Sequence, residues 1–190
     1  MSPGGHLVTT VAACAATAYA TGSAPLTAAV FAGGFLIDLD HAVDYVVFER
    51  QTNLRPGAFL RYYVEGHIRR AVLVLHSYEL FLLLAALALW TQSVLLGGYL
   101  VGALLHLALD IVFNGRVTPY SIAAFYSFSY RLAHRFDAQV LLGIAERSAG
   151  GSFWAMFFSN GEPTRPLPRL WRHGPLPVRR QQRVEAVQRL

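Results

Sequence analysis

The apolar run VLLGGYLVGALLHLALDIVF, residues 94–113, decides the fold class of this chain. Its only carboxylate is that of Asp110, its only imidazole is that of His106, and it contains no arginine. Its twenty residues would form a helix about 30 Å long, which matches the hydrocarbon thickness of a bilayer. The run therefore predicts a helix that spans a membrane.

Other apolar runs extend this prediction toward the N-terminus. Residues 71–90 predict a second spanning helix, and only residues 91–93 separate it from the first, so the two should form an antiparallel hairpin. We therefore predict an all-α, polytopic membrane bundle of about four membrane helices with additional interfacial helices. The remaining membrane helices are predicted over residues 7–20 and 26–48, and the shorter helices over residues 58–68, 119–134 and 137–147.

The first apolar run is short enough to be read in two ways. It ends in Ala18, Tyr19 and Ala20, which resembles a signal-peptidase site. A signal peptide needs a positively charged start, and residues 1–6 contain no arginine or lysine. We therefore expect a retained membrane helix.

Composition supports a bilayer as the solvent. Of the 190 residues, 54% are hydrophobic and 14% are charged, and the mean hydropathy is +0.38. In a soluble domain, about a quarter of all residues are charged, because they cover its surface. The 16 basic side chains are all arginine and lie in separate polar segments, which indicates membrane topology and anionic lipid contact, and no nucleic acid binding.

Two regions follow from the distribution of these residues. Residues 1–150 should form the helical bundle, whereas residues 151–190 begin with an aromatic segment suited to the interface and continue as a basic tail rich in proline and arginine. The positive-inside rule places the arginine-bearing segments and this tail in the cytoplasm.

Ionisable side chains in the predicted membrane helices all lie at one end of the bundle. If the helices alternate in direction, the starts of odd helices and the ends of even helices reach the same, cytoplasmic face. Each such group costs roughly 2.5 to 3.5 kcal/mol at a helix centre, so a functional role is expected. The residues are His6; Asp38, Asp40, His41 and Asp44; His76 and Glu79; and His106 and Asp110.

Spacing within the helices indicates that these groups share one centre. His106 and Asp110 are four residues apart and His76 and Glu79 are three apart, so each pair lies on one helical face. The single cysteine, Cys14, supplies no disulfide and no CxxC motif. Histidine and carboxylate ligands without cysteine predict a divalent metal, zinc first and manganese or iron if carboxylates dominate.

The ordered motifs resemble a known family. Gly-Gly-Phe-Leu-Ile-Asp38-Leu-Asp40-His41, Leu-His76-Ser77-Tyr-Glu79 and Leu-Leu-His106-Leu-Ala-Leu-Asp110 are similar to the motifs of predicted membrane-bound metal-dependent hydrolases of the bacterial inner membrane. The resemblance spans about residues 5–136 and ends in an aromatic segment with Arg131. Ile37 stands where that family often has proline.

The same motif set looks like that of zinc-dependent phospholipases C, which hold several zinc ions. If two or more metals are bound, we expect hydrolysis of a phosphoester. A site at the cytoplasmic face suits an amphiphile such as a phospholipid or an isoprenoid phosphate, and the sequence also leaves an amide or ester substrate open. For this chemistry we assign Asp40 as a bridging ligand and Asp44 or Glu79 as the catalytic base. The implied metal ligands are Asp38, Asp40, His41, His76, His106 and Asp110, with His6 as a further one.

Several basic side chains have two possible roles. Arg69, Arg70, Arg116 and Arg131 could orient phosphate or bind lipid head groups, or they could only determine topology. His67 lies in the connecting loop, where we expect a structural role.

Two other classes of function remain open from the sequence. A metal carrier or a haem protein ligated by His76 and His106 would use the same histidines, although carboxylates beside haem ligands are unusual. A non-catalytic membrane scaffold would use the polar cluster to join its helices and the basic tail to recruit a partner.

Overall fold

The computed structural model describes residues 1–114, 121–143 and 151–158, and every regular element in these ranges is a helix. The predicted all-α fold is therefore confirmed for the described part of the chain. In chain order the elements are α1 (Pro3–Thr21), α2 (Ala24–Gly34), a 3-10 turn (Leu36–Asp38), α3 (Leu39–Val43), a π turn (Asp44–Phe48), α4 (Pro56–Val64), α5 (Tyr78–Thr91), α6 (Val94–Asn114), α7 (Ile122–Phe125), α8 (Phe128–Ala133), α9 (Ala138–Leu142) and α10 (Phe153–Phe158).

Capping residues define both ends of α1 and the start of α2, the two helices of the N-terminal hairpin. Ser2 caps α1 by accepting a hydrogen bond from the backbone N–H of Gly5. Gly22 ends the helix in the left-handed conformation, at φ 62°, which a residue without Cβ adopts without strain. Ser23 then caps α2, so α1 and α2 are joined by two residues only.

Glycines bring α2 and α6 into close contact, and this pair forms the main helix packing of the molecule. A Cβ added to Gly33 would overlap the carbonyl oxygen of Tyr99, and one added to Gly102 would overlap the carbonyl oxygen of Val30. The two backbones therefore lie against each other, which is the geometry that small residues permit between membrane helices.

The helix predicted over residues 26–48 is broken, so its prediction as one continuous helix is wrong. The α-helix ends at Gly34, Phe35 leaves helical geometry at φ −128° and ψ −44°, and the following helical segment turns by 44°. The break leaves the Gly34 carbonyl oxygen free to accept a hydrogen bond from His106 Nδ1 at 2.9 Å. A side chain of α6 thus replaces a bond within the helix.

The helix predicted over residues 71–90 starts later, at Tyr78, because the preceding loop is held by side chains. We call Asp40, Asp44 and Glu49 the acidic ladder. Glu49 Oε1 accepts from the N–H groups of Arg69 and Arg70 at 2.8 and 2.7 Å. Asp44 Oδ2 accepts from residues 72 and 73 at 2.7 and 3.1 Å, and Asp40 Oδ2 from residue 75 at 3.0 Å.

The ladder explains both the missing helical turn and the π turn. N–H groups bound to carboxylates cannot donate to carbonyls within a helix, so residues 69–77 stay extended or turned. The π turn places Glu49 five residues after Asp44, which keeps its carboxylate on the same face as the other two.

The later predicted helices are shorter than expected. The region predicted as one helix over 119–134 contains α7 and α8, and residues 119–120 lie outside the described part. Within the helix predicted over 137–147, α9 ends at Leu142, before the left-handed Gly143, and residues 144–147 lie outside the described part. The interfacial helix predicted over 58–68 is α4, which begins at Pro56 and contacts α10. The basic tail lies outside the described residues.

Among the described residues, α6 is long and apolar enough to cross a membrane. The bent pair Ala24–Gly34 and Leu36–Phe48 passes the same test together, and α5 is apolar but only 14 residues long. The described structure thus contains one or two candidate spans.

Candidate metal centre

Histidine and aspartate side chains from four parts of the chain meet beside the break in the second helix. The N-terminal turn of α1 supplies one histidine, the broken helix supplies two aspartates and a histidine, the ladder-bound loop supplies a histidine, and α6 supplies a histidine and an aspartate. Three overlapping groups could each hold a metal ion: His6, His106 and Asp110; Asp38, His76 and His106; and Asp40, His41 and His76.

The middle group forms a nearly equilateral triangle of ligand atoms. His76 Nε2 and His106 Nε2 are 3.2 Å apart. Asp38 Oδ1 lies 3.5 Å from the first nitrogen and 3.4 Å from the second. His76 and His106 also belong to one outer group each, so the three groups are joined through these two side chains.

Hydrogen bonds assign the tautomer of both central histidines. His106 Nδ1 donates to the Gly34 carbonyl oxygen, and His76 Nδ1 donates to Asp40 at 3.0 and 3.1 Å. The Nε2 atoms then carry lone pairs, and these point toward each other. Two neutral rings in this arrangement repel each other unless a proton or a metal cation lies between the nitrogens, and the pairing of His76 with Asp40 matches the carboxylate–histidine support of metal sites.

The triangle fits the dimensions of a tetrahedral metal site. Ligands about 2.0–2.1 Å from zinc are about 3.3–3.4 Å from one another in tetrahedral geometry. The three distances of the middle group surround that value. The described residues therefore offer nitrogen and oxygen ligands at the right spacing for a divalent cation.

The outer groups contain nitrogen atoms without a protein partner. His6 Nδ1 and His41 Nδ1 are buried and have no hydrogen-bond partner among the described residues. His6 stacks on His106 at a ring distance of 3.6 Å, and its Nε2 lies 2.9 Å from Asp110 Oδ1. Buried unpartnered ring nitrogens are costly in a folded protein, and a bound cation is one way to satisfy them.

Support for the ligands comes from Asn114, which the sequence indicates, and from two tyrosines, which the sequence analysis did not select. Tyr126 donates to Asp110 Oδ2 at 3.1 Å, and Asn114 donates to Asp110 Oδ1 at 2.8 Å. Tyr63 donates to the His41 carbonyl oxygen at 2.7 Å. Asn114 continues the stripe of His106 and Asp110 at four-residue spacing, but no comparable spacing in the sequence marks the tyrosines.

The two residues predicted as catalytic bases accept backbone hydrogen bonds away from the triangle. Asp44 is part of the acidic ladder, and Glu79 accepts from Ser127 Oγ and from the N–H groups of Phe128 and Ser129 at the start of α8. Their catalytic role stays a prediction, and these bonds give both carboxylates a structural one. Asp40, predicted as a bridging ligand, orients His76 and the loop.

The basic residues differ in their placement. Arg69 is exposed and pairs with Glu49 at 3.1 Å, Arg70 is exposed, and Arg131 is fully buried and bonded to backbone carbonyls. His67 Nε2 lies 3.1 Å from Glu65 Oε2 in the connecting loop, outside the ligand groups. The predicted phosphate contact of Arg116 lies outside the described residues.

One side of the centre is open. The Asp38 and His41 side chains are 29% and 30% exposed, whereas His6, His76, His106 and Asp110 are buried. Exposed Leu36 and Leu39 flank Asp38 in the chain. The centre therefore reaches the molecular surface at Asp38 and His41, beside apolar side chains.

Burial, hydrogen bonds and nearby charges shift the pKa values of Glu49 and Tyr63. Burial would raise the pKa of Glu49, but donation by Tyr62, Arg70 and Arg69 outweighs it and lowers that pKa below its usual value. Burial, together with the nearby carboxylates of Asp44 and Asp40, raises the pKa of Tyr63, which therefore stays a neutral hydrogen-bond donor. Glu49 thus stays a hydrogen-bond acceptor and Tyr63 a donor.

Comparisons with known proteins assign no family to this chain. The chain matches no family model, no curated protein and no solved structure. The described residues form a helical protein, and several groups of histidine and aspartate side chains in it could hold a metal ion.

Proposed function

We propose that this chain is a membrane-embedded, metal-dependent hydrolase that acts on the phosphoester of a lipid or another amphiphile. The observation that carries the proposal is the triangle of His76 Nε2, His106 Nε2 and Asp38 Oδ1 beside an exposed edge. Zinc fits this nitrogen and oxygen set best, and manganese and iron are the other candidates.

Surface chemistry supports the membrane placement. Large apolar side chains are exposed along the outer faces of the helices, and the core helix of a soluble protein would bury such residues. A polytopic bundle that includes α1, the broken helix, α5 and α6 would place these side chains in lipid. Examples are Val8 and Val11 of α1, Leu82, Leu83, Leu89 and Trp90 of α5, and Val101, Leu104 and Val112 of α6.

The arginines support an orientation. The connection between the broken helix and α5 carries five of them, Arg50, Arg55, Arg61, Arg69 and Arg70, and all five are exposed. The positive-inside rule then places this connection, the metal centre and the C-terminal tail on the cytoplasmic side of a bacterial inner membrane.

Hydrolysis is the reaction that this set of ligands supports. A bound divalent cation would lower the pKa of its water and neutralise the charge that develops on a phosphoryl oxygen. His76 and His106 would bind through Nε2, each held in that tautomer by its Nδ1 bond, and Asp38 would supply the oxygen ligand at the open edge.

The open edge supports an amphiphilic substrate. Leu36, Leu39 and Val43 are exposed on one face of the broken helix, next to the partly exposed Asp38 and His41. A polar head group could reach the ligands there while its apolar part stays against these side chains and in lipid. Phospholipids and isoprenoid phosphates both have this form.

Metal content tests the proposal directly. The full chain, purified in detergent without a metal-binding tag, should contain stoichiometric zinc, manganese or iron by inductively coupled plasma mass spectrometry. The variant His106→Ala, Asp110→Ala should lose that metal, whereas His67→Ala, which changes a histidine outside the ligand groups, should keep it.

Activity is the second stage of the same experiment. Metal-loaded protein should release phosphate or a phosphorylated head group from phospholipid or isoprenoid-phosphate substrates, and the double variant should not. If neither form holds metal after reconstitution, the metal site is refuted, and a scaffold whose polar cluster joins helices becomes the better account. A haem absorption spectrum would instead support a cofactor-binding protein.

A further inference from the structure

Arg131 is a buried cation that contacts backbone and no carboxylate. Its side chain is fully buried, with 0% exposure. One terminal nitrogen donates to the carbonyl oxygens of His76 and Phe125 at 3.0 and 2.7 Å, and the other donates to Leu73 at 2.8 Å. No carboxylate oxygen of a described residue lies within 4.0 Å of its guanidinium.

Burial of such a group requires compensation. Taking an arginine out of water without a paired anion is costly. Here three carbonyl dipoles and the face of Phe125, 5.5 Å from the guanidinium carbon, replace the water, and Nε has no partner. Three buried backbone carbonyls accept hydrogen bonds from this one side chain, and a leucine or methionine could not donate them, so the guanidinium does more than fill space.

The loop that Arg131 holds is strained. Leu73 has a φ of 46°, in the left-handed region that bulky residues avoid. Its N–H is bound by Asp44 and its carbonyl by Arg131, so charged side chains hold this residue from both sides. The same carbonyl also accepts from the His76 N–H at 3.1 Å.

The guanidinium spans the part of the loop that carries a ligand. Its two terminal nitrogens bind Leu73 at one end of the turn and His76 at the other. The separation of these carbonyls is therefore set by the planar fork, which a lysine ammonium cannot reproduce. Fixing the two carbonyls fixes the backbone from which the His76 imidazole extends toward Asp40 and His106.

We propose that Arg131 is a positioning residue for the metal centre, one that holds the turn from Leu73 to His76 so that His76 Nε2 meets its fellow ligands at the spacing a metal requires. It acts through His76 and does not bind substrate phosphate, because both terminal nitrogens donate to carbonyls and the side chain has no exposed surface. The inference rests on the metal site proposed above.

Two substitutions separate positioning from charge. Arg131→Lys keeps the charge and loses the fork, whereas Arg131→Gln loses both the charge and the fork. If Arg131 acted only through its charge, Gln would strengthen metal binding by removing repulsion, and Lys would leave it unchanged. Positioning predicts that both variants bind metal more weakly. Arg135→Lys and Arg135→Gln, at an exposed arginine four residues later, are the matched controls.

The measurement uses the full chain in detergent, with Zn²⁺ alone in competition with a chromophoric chelator. Both Arg131 variants should bind Zn²⁺ about 10–100-fold more weakly than wild type, as for other residues that orient metal ligands. Affinities are compared at a temperature where circular dichroism shows equal helix content in all forms. The Arg135 controls should match wild type.

A spectroscopic readout distinguishes positioning from general destabilisation. At saturating Co²⁺, the visible spectrum of Arg131→Lys should differ from that of wild type, because a displaced His76 changes the coordination geometry. Wild-type Zn²⁺ affinity and Co²⁺ spectrum in both Arg131 variants would overturn the inference while leaving the metal site intact. A wild-type chain that binds neither ion would refute the proposed function itself.

Discussion

His76 and His106 show how a few hydrogen bonds prepare a pair of side chains for a ligand. Each imidazole uses Nδ1 as a donor, one to a carboxylate and the other to a carbonyl freed by a helix break. The Nε2 nitrogens therefore meet at 3.2 Å, a distance at which they can share a proton or a metal cation. The orientation of both rings is set by Asp40 and Gly34, which lie outside the middle ligand group.

Asp40 and Asp44 lie one turn apart and should differ in their effect on metal. Asp40→Asn keeps an acceptor for His76 Nδ1 but removes the charge, and we expect metal affinity to fall about 10–100-fold. Asp44→Asn keeps an acceptor for two backbone N–H groups, so it should retain metal and lose about 1 kcal/mol of stability. Metal titration and thermal unfolding of both variants test this. Equal metal loss would contradict the separate roles.

Glu49 should make stability depend on pH. Its folded pKa lies below the unfolded value of about 4.3, so the carboxylate stabilises the fold above that value, and the contribution is lost as pH falls through the folded pKa. Glu49→Gln should lower the unfolding free energy by about 1–3 kcal/mol near neutral pH, because an amide cannot accept all four bonds. Unfolding measured from about pH 7 to about pH 3 should show the gap to wild type closing in acid. A constant gap would argue against the ladder.

At the scale of elements, apolar runs in the sequence predicted the helix in residues 94–113 correctly. The sequence did not predict that carboxylates would bind backbone N–H groups and delay the start of α5. The helix predicted over residues 94–113 is α6 with one residue added, since a long apolar run has no competing partner for its N–H groups. The helix predicted from residue 71 starts at Tyr78, because the acidic ladder binds the N–H groups before it. Residues 40, 44 and 49 reach that loop only after folding, so helical periodicity cannot reveal it.

Helical spacing in the sequence revealed the candidate ligands, but it could not reveal the residues that hydrogen-bond to them from other elements. His106 and Asp110, or Asp38 and His41, are visible as polar residues at helical spacing within apolar runs. The structure brings all seven predicted ligands into three overlapping groups. Tyr63, Tyr126 and Arg131 are ordinary members of aromatic or basic segments, and only their tertiary contacts distinguish them.

The contact between α2 and α6 should tolerate no added methyl group at its centre. Gly102→Ala places Cβ against the Val30 backbone, and we expect a loss of at least about 1–3 kcal/mol with weaker metal binding, because His106 bonds Gly34 across the same contact. Gly97→Ala, on the same helix with open space around it, is the matched control and should be neutral or slightly stabilising. Thermal unfolding of both variants measures the difference. Similar behaviour of the two would contradict this packing.

At the scale of the whole molecule, polarity is divided between two ends. The metal centre, the acidic ladder and the exposed arginines lie toward one end of the helices. The links at the opposite end, Gly22 with Ser23 and Gln92 with Ser93, carry no charge. The positions of the ionisable residues along the sequence, with helices that alternate in direction, predicted this division, and the positive-inside rule expects it of a membrane bundle.

Labelling of introduced cysteines tests the orientation. In a Cys14→Ser background, Arg50→Cys and Arg135→Cys should react with an impermeant maleimide from the cytoplasmic side. Gln92→Cys should react only from the other side, because α5 and α6 form a hairpin with its turn at that residue. Inverted and right-side-out vesicles supply the two sides. Labelling of Arg50→Cys and Gln92→Cys from one side would refute the spanning hairpin.

The two-residue links have a consequence for biogenesis. In the proposed orientation, the described segments that must be translocated are only these links, and neither contains a charged side chain or a folded element. Each helical hairpin can therefore partition into lipid as a unit, with its backbone polar groups already bonded, and little polar mass has to be transferred. The costly groups remain on the side where the chain is synthesised, so insertion and assembly of the centre need no export step.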